Sequence, residues 1–298
     1  MAPVVAFLLC SALSLAAQTL IHPDHEHIRY VGRVDFTNVK QPRFDWPGVY
    51  FETRFEGTSL GLRFDRGNSD LDVYIDGDSV ATIDEGGGEL TFDIAAGLAD
   101  TLHDLLVSKR NEGGAVVFYG LVLDDGKGLV APAPRLQRRF EFLGDSYVAC
   151  YGCESRVTEC TDVGAYTDAY DSYAAQTSRA LGAEYSLIAM SGRGLLHNAG
   201  DPMLVSVDNV PSHYDRTLKS YPTPAWDFAV WVPDIVVIAL GVNDLRDPAV
   251  PVPRDTFTTH YRQLIARIQT NYPGVDIVCA SYAWPDSLQP FVEHVYDL

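Results

Sequence analysis

Two rhythms of apolar and polar positions divide the chain. From about His27 to Asp125, short runs alternate apolar with polar residues: Val49–Phe55 (VYFETRF), Leu60–Phe64 (LGLRF), Leu71–Gly77 (LDVYIDG), Leu90–Ile94 (LTFDI) and Ala115–Leu123 (AVVFYGLVL). A period of two places one side of each run in a core and the other in water, as in a half-buried strand. Asp76-Gly77, Gly86-Gly87-Gly88 and Gly113-Gly114 punctuate the runs as turns. Strands at this spacing, with no helical period between them, predict a β-sandwich or jelly roll over residues 27–130. The APAPR stretch at 131–135 reads as a stiff linker.

From residue 137 to 298 the rhythm changes to continuous apolar runs separated by helical patterns. FEFLG at 140–144, EYSLIAM at 184–190, DIVVIAL at 234–240 and VDIVCASY at 275–282 read as strands buried on both faces. Phe257, Tyr261, Leu264, Ile265 and Ile268 recur at helical spacing behind Pro253 and Asp255, and a second helix is expected over Tyr170–Leu181. This alternation predicts a three-layer α/β domain on a parallel sheet. Ligands in such sheets bind beyond the carboxyl ends of the strands. Three of those ends carry polar groups: Asp145-Ser146, then Ser191-Gly192-Arg193-Gly194, then Gly241, Asn243 and Asp244.

A hydroxyl, a glycine turn and an amide on adjacent strand ends suit acyl transfer. Ser146, at a strand-to-helix turn, is the candidate nucleophile, and its N–H lies among the free donors of a helix start. A glycine N–H and the Asn243 amide supply further donors for an oxyanion, each worth ~2.7–4 kcal/mol in the transition state.

FLGDSYVACYG, IAMSGRGLLHN and VVIALGVNDL resemble the first three motif blocks of the SGNH, or GDSL-type, hydrolases. GRVDFTN, FDWPGVYFETRFEGTSLGLRF and LVSKRNEG resemble the jelly-roll domain preceding the esterase domain in carbohydrate esterase family 2. The resemblance runs from about Tyr30 to Tyr282. It implies removal of O-acetyl groups from xylan or glucomannan without a metal or other cofactor. It also implies Ser146 as nucleophile, with Gly192 and Asn243 in the oxyanion hole; Gly194 competes with Gly192 because the SGRG turn aligns two ways. The family pattern closes with an Asp-x-x-His block that brings a base to the serine. No such block follows Asn243, so the chain is expected to stop short of it, and His294 and His197 are the substitutes to consider. Arg193 and Trp284 are candidate substrate contacts, with Trp226 and Tyr221 as further aromatic candidates beside the crevice. Two rivals stand beside the esterase reading: a carbohydrate-binding homologue lacking the base, and a hydrolase of short lipid esters or thioesters.

Charge narrows the partners. Forty acidic against 22 basic residues give a formal charge of −18, which repels nucleic-acid phosphates and anionic lipid and leaves acetylated polysaccharide open. The apolar stretch Val4–Leu15 ahead of Ala16-Ala17 reads as a signal peptide over residues 1–17, so a secreted, monomeric protein with no membrane partner is expected. With Cys10 removed, Cys150, Cys153, Cys160 and Cys279 remain, and Cys153 with Cys160 brackets a short polar loop suited to a disulfide.

Overall fold

The structure, a computed structural model, describes residues 17–157, 159–286 and 288–296. The apolar stretch read as a signal lies almost wholly outside them.

The first half is an antiparallel network of nine strands: β1 (Gln18–Ile21), β2 (Arg29–Val31), β3 (Arg43–Phe44), β4 (Tyr50–Asp65), β5 (Leu71–Ile75), β6 (Asp78–Ile83), β7 (Leu90–Lys109), β8 (Val116–Asp124) and β9 (Leu129–Val130). The main order is β1-β8-β4-β7-β5-β6. VYFETRF and LGLRF, read above as separate strands, are the two ends of β4. The chain passes between them at Gly57, whose φ of +132° falls at a register shift. Such a bulge bends the strand without ending it. β4 accordingly changes partners along its length, from β2 and β9 to β8. Phe51 and Phe64, from its opposite ends, both meet Phe118 of β8, with ring centroids 4.6 and 4.8 Å away. These rings form the centre of the sandwich core.

The second half is the expected parallel sheet. β10 (Arg138–Gly144), β11 (Ala183–Ala189), β14 (Ile235–Ala239) and β15 (Asp276–Cys279) lie in the order β11-β10-β14-β15. A hairpin of β12 (Arg216–Leu218) and β13 (Tyr221–Ala225) interrupts the alternation. The helices are α1 (Ser146–Ala149), α2 (Tyr173–Ala180), α3 (Val210–His213), α4 (Val242–Arg246), α5 (Arg254–Asn271) and α6 (Leu288–His294). α2 begins at Tyr173 behind the Ser172 cap, three residues later than the sequence reading, because Ala169–Asp171 forms a separate 3-10 turn. The apolar positions of α2 pack with Phe140, Phe142 and Leu187 on one face of the sheet. Phe257, Tyr261 and Leu264 of α5 pack with Val236 and Ile238 on the other.

A fully buried ion pair joins the two halves. Arg33, from the sandwich, reaches Glu141 of β10 at 3.2 Å, with both side chains at most 1% exposed. Arg33 also donates to the carbonyls of Tyr214 and Arg216, and Tyr214 Oη donates to Glu141.

Candidate active site

Sheet register brings the three polar strand ends level. Gly144 pairs with Ala189 on one side and Ala239 on the other, so Ser146, Ser191 and Gly241 each lie two residues beyond the same row. β10 is also where the strand order reverses, with β11 on one side and β14 on the other, and open α/β sheets bind ligands at such a switch point.

The Ser146 turn is built by its neighbours. A Cβ on Gly144 would lie 2.1 Å from Val148 Cγ2, so only glycine lets α1 fold this close to the strand. Asp145 caps α1, its carboxylate accepting the Tyr147 N–H at 3.0 Å. Ser146 itself is half-buried and begins the helix, where backbone N–H groups have no helical acceptor. It faces a cleft of about 530 Å³ lined by Tyr147, Tyr151, Tyr173, Asn243, Arg246 and Trp284.

After four residues α1 ends at Cys150, in the left-handed conformation with φ of +58°. Cys150 is bonded to Cys153, not Cys153 to Cys160. The expected pairing is thereby corrected: the left-handed turn folds the chain back and brings the sulfurs of the nearer pair together. Among the described residues Cys160 and Cys279 are free.

The two candidate glycines differ in which N–H is available. Gly194 is buried, donates to Asn198 Oδ1 at 3.1 Å, and would place a Cβ 2.1 Å from His197 O. Gly192 has φ of +75°, empty space where a Cβ would be, and an N–H with no acceptor among the described residues. Asn243, 3% exposed, ties this turn to that of Ser146. Its Nδ2 donates to the Arg193 carbonyl at 2.8 Å and stands 3.5 Å from Asp145 Oδ2. Asp244 is the residue whose importance sequence reasoning missed. Fully buried, it accepts the N–H groups of Leu195, Leu196 and His197 at 2.8–2.9 Å, holding the loop after β11 against α4. In the sequence it stands only as one of the polar groups at the third strand end.

Burial pushes the Asp145 carboxyl up to about 7 despite the Tyr147 N–H, with the charges of Asp244 and Glu112 adding to the rise. Below about pH 4 the acid is protonated whether folded or unfolded. Between there and about 7 only the folded protein keeps the proton, so this contribution to stability is lost as pH rises through 7. Asp145→Asn keeps a neutral cap and should flatten this part of the curve. The measurement is Tm against pH for both proteins, and parallel curves from pH 4 to 8 would contradict the assignment.

The histidines are elsewhere. His197 is buried under the glycine loop, its Nδ1 2.8 Å from the Met203 carbonyl and its Nε2 unpartnered. His294, at the end of α6, faces Asp255 at 3.6 Å. His213 is the last residue of α3 and His260 lies on α5. Among the described residues no histidine lines the Ser146 cleft.

Of the other candidates, Trp284 is in the cleft wall and 51% exposed. Trp226 instead lies over Arg33 between the halves, and Tyr221 pairs with Arg43 on the hairpin. Arg193 forms an ion pair with Asp208 at 2.8 Å, and the cation facing the cleft is Arg246.

Residues 30–134 match the family model described as carbohydrate esterase 2 N-terminal, and residues 142–295 that of the GDSL-like lipase/acylhydrolase family. A cellulase/esterase, CelE, of Acetivibrio thermocellus is 35% identical over 86% of this chain and 31% of its own length. An acetylxylan esterase / glucomannan deacetylase of Cellvibrio japonicus is 30% identical over 80% of this chain and 65% of its own. The chain thus spans less than two thirds of either relative. The solved structure of a family two carbohydrate esterase from Clostridium thermocellum, in complex with cellohexaose, superposes with a TM-score of 0.84. It is 32% identical, covering 91% of this chain and 83% of that one.

Proposed function

Because the chain belongs to the family two carbohydrate esterases, with a GDSL-like lipase/acylhydrolase domain, we propose that it removes acetyl groups from a plant cell-wall polysaccharide of the xylan or glucomannan type. The observation carrying this reading is the set of groups level with the end of β10: the Ser146 hydroxyl in an open, aromatic-walled cleft, the free Gly192 N–H, and the Asn243 amide joining their turns.

In the proposed reaction Ser146 Oγ attacks the acetyl carbonyl carbon. The negative charge that develops on the carbonyl oxygen is met by the N–H groups of Ser146 and Gly192 and by Asn243 Nδ2. Collapse breaks the bond to the sugar oxygen, which leaves as an alkoxide and takes up, by way of solvent, the proton given up by the Ser146 hydroxyl, while acetyl stays on Ser146. Water then frees acetate and restores the serine. Trp284 and Tyr151 offer flat apolar faces suited to sugar rings. The reading includes export, which the N-terminal apolar stretch and the Cys150–Cys153 disulfide both support.

Substrate class is tested by comparing acetate release from acetylated xylan and acetylated glucomannan with hydrolysis of 4-nitrophenyl esters of rising chain length. The proposal expects polysaccharide deacetylation and a steep fall beyond acetyl. Faster cleavage of octanoyl than acetyl ester would favour the lipid reading.

One observation favours a binding-only reading: no described histidine stands in the cleft. Imidazole separates the two. With a serine and oxyanion donors in place but no base at hand, added imidazole should raise acetate release from an acetylated oligosaccharide several-fold, and Ser146→Ala should not respond. Glycan binding with no turnover, with or without imidazole, would establish the binding reading.

A further inference from the structure

The loop joining β7 to β8, Arg110–Ala115, is held from several sides. Lys109, buried, donates from Nζ to the carbonyls of Asn111 and Gly113. Asn111 exchanges hydrogen bonds with Asp70. Gly113 and Gly114 pass so close to Asn68 and Gly67 that a Cβ would fall 2.2 and 2.4 Å from their carbonyl oxygens. Arg110 reaches across to Asp168 and Glu154 of the α/β half. From this fixed loop Glu112 projects to the glycine turn. Its carboxylate accepts the Ser191 N–H at 2.7 Å and the Ser191 hydroxyl, while its carbonyl accepts Lys219 Nζ at 3.0 Å.

We propose that Glu112 is a positioning residue for deacetylation: through Ser191 the sandwich domain sets the direction of the Gly192 N–H. This rests on the esterase reading above. The donor at stake belongs to the peptide unit joining Ser191 to Gly192. Gly192 has φ of +75° and nothing within 4 Å of its would-be Cβ, so no side chain of its own restrains that unit. Glu112 grips Ser191 by backbone and side chain together, fixing the residue that carries the peptide. Charge is not what the site requires from Glu112. A carboxylate beside an oxyanion hole opposes the developing negative charge, and its field already adds to the raised titration of Asp145. The contribution is therefore geometric and persists in a neutral isostere. Glutamine can accept the Ser191 N–H and donate to the Ser191 hydroxyl, whereas alanine can do neither.

The test is 4-nitrophenyl acetate kinetics and thermal melting for wild type, Glu112→Ala and Glu112→Gln, with the Gly192 amide resonance followed in ¹⁵N-labelled samples of each. The expected result is a fall in kcat of at least about tenfold in Glu112→Ala with KM within about twofold, as misplacement of a transition-state donor predicts. Glu112→Gln should recover most of the rate and bring the Gly192 resonance back to its wild-type position. Retention of kcat within twofold in Glu112→Ala would overturn the proposal, and so would an equal fall in both variants, since that would make the charge the requirement. If wild type shows no turnover even with added imidazole, the esterase reading is what has failed. The resonance then decides alone: displacement in alanine with recovery in glutamine upholds the positioning role, and an unmoved signal overturns it.

Discussion

Replacing Ser146 by alanine is expected to bring acetate release down to background while leaving the protein folded and able to hold its glycan. The loss follows from chemistry: without Oγ no acetyl-enzyme forms, and removing a serine nucleophile lowers kcat by about three powers of ten or more. Retention of fold follows from the structure. Ser146 opens α1, where Asp145 provides the cap, and its hydroxyl makes no hydrogen bond among the described residues. Alanine at that position removes no structural partner and is a good helix former. The cleft walls, with Trp284, Tyr151 and Tyr173, are untouched. Three readouts on one variant separate the roles: acetate release, melting temperature and affinity for a xylo- or cello-oligosaccharide. A variant that keeps its Tm and binding but loses turnover has lost chemistry alone. Turnover that survives would move the nucleophile elsewhere.

The second large effect is on stability. Arg33→Ala should destabilise the protein by about 3–5 kcal/mol, because it strands the Glu141 carboxylate, buried from solvent, without its cation. Glu141 is 1% exposed, and its remaining partner among the described residues is the Tyr214 hydroxyl at 3.1 Å. Arg33 also packs over the rings of Tyr214 and Trp226, 5.1 and 5.2 Å from their centroids, so alanine leaves a cavity as well as a charge. At roughly 2–4 °C per kcal/mol for a chain of this size, Tm should fall on the order of 10 °C. Removing both charges with volume retained, as in Arg33→Met with Glu141→Gln, should recover much of the loss, since no unpaired ion is then buried. Urea unfolding of the two single variants and the double variant supplies the comparison. A cost below about 1 kcal/mol for Arg33→Ala would mean that water reaches Glu141 and that the two halves are held together by other contacts.

Where sequence and structure agree, the signal is local. Runs such as DIVVIAL carry too many consecutive apolar residues for a half-exposed strand, and a parallel sheet follows from their alternation with helices. Ser146, Ser191 and Asn243 follow those runs at short range, so their placement beyond strand ends is legible as soon as the strands are. Where the two part, the deciding partner is distant in sequence or hidden in backbone geometry. Residues 95–109 show no clean alternation, yet they extend β7 because β4 pairs with them along its first half. The Cys150–Cys153 pairing depends on a left-handed residue at the end of α1, which spacing alone does not reveal. Gly192 and Gly194 are equivalent as letters and differ in whether a carbonyl crowds the Cα. Trp226 and Tyr221 read as crevice residues until the β12–β13 hairpin carries them to the other half. Glu112 reads as part of a turn, and its partner Ser191 lies 79 positions away.

In the proposed reaction Ser146 carries the acetyl group between substrate and water. The measurement that tests it most directly is acid quenching of the protein during incubation with an acetylated oligosaccharide, followed by peptide mass spectrometry across residues 139–156. One acetyl group is expected on Ser146, absent from Ser146→Ala and from samples given the deacetylated sugar. Acetate release by wild type with no acetyl on Ser146, or with acetyl on another residue that also survives in Ser146→Ala, would contradict it.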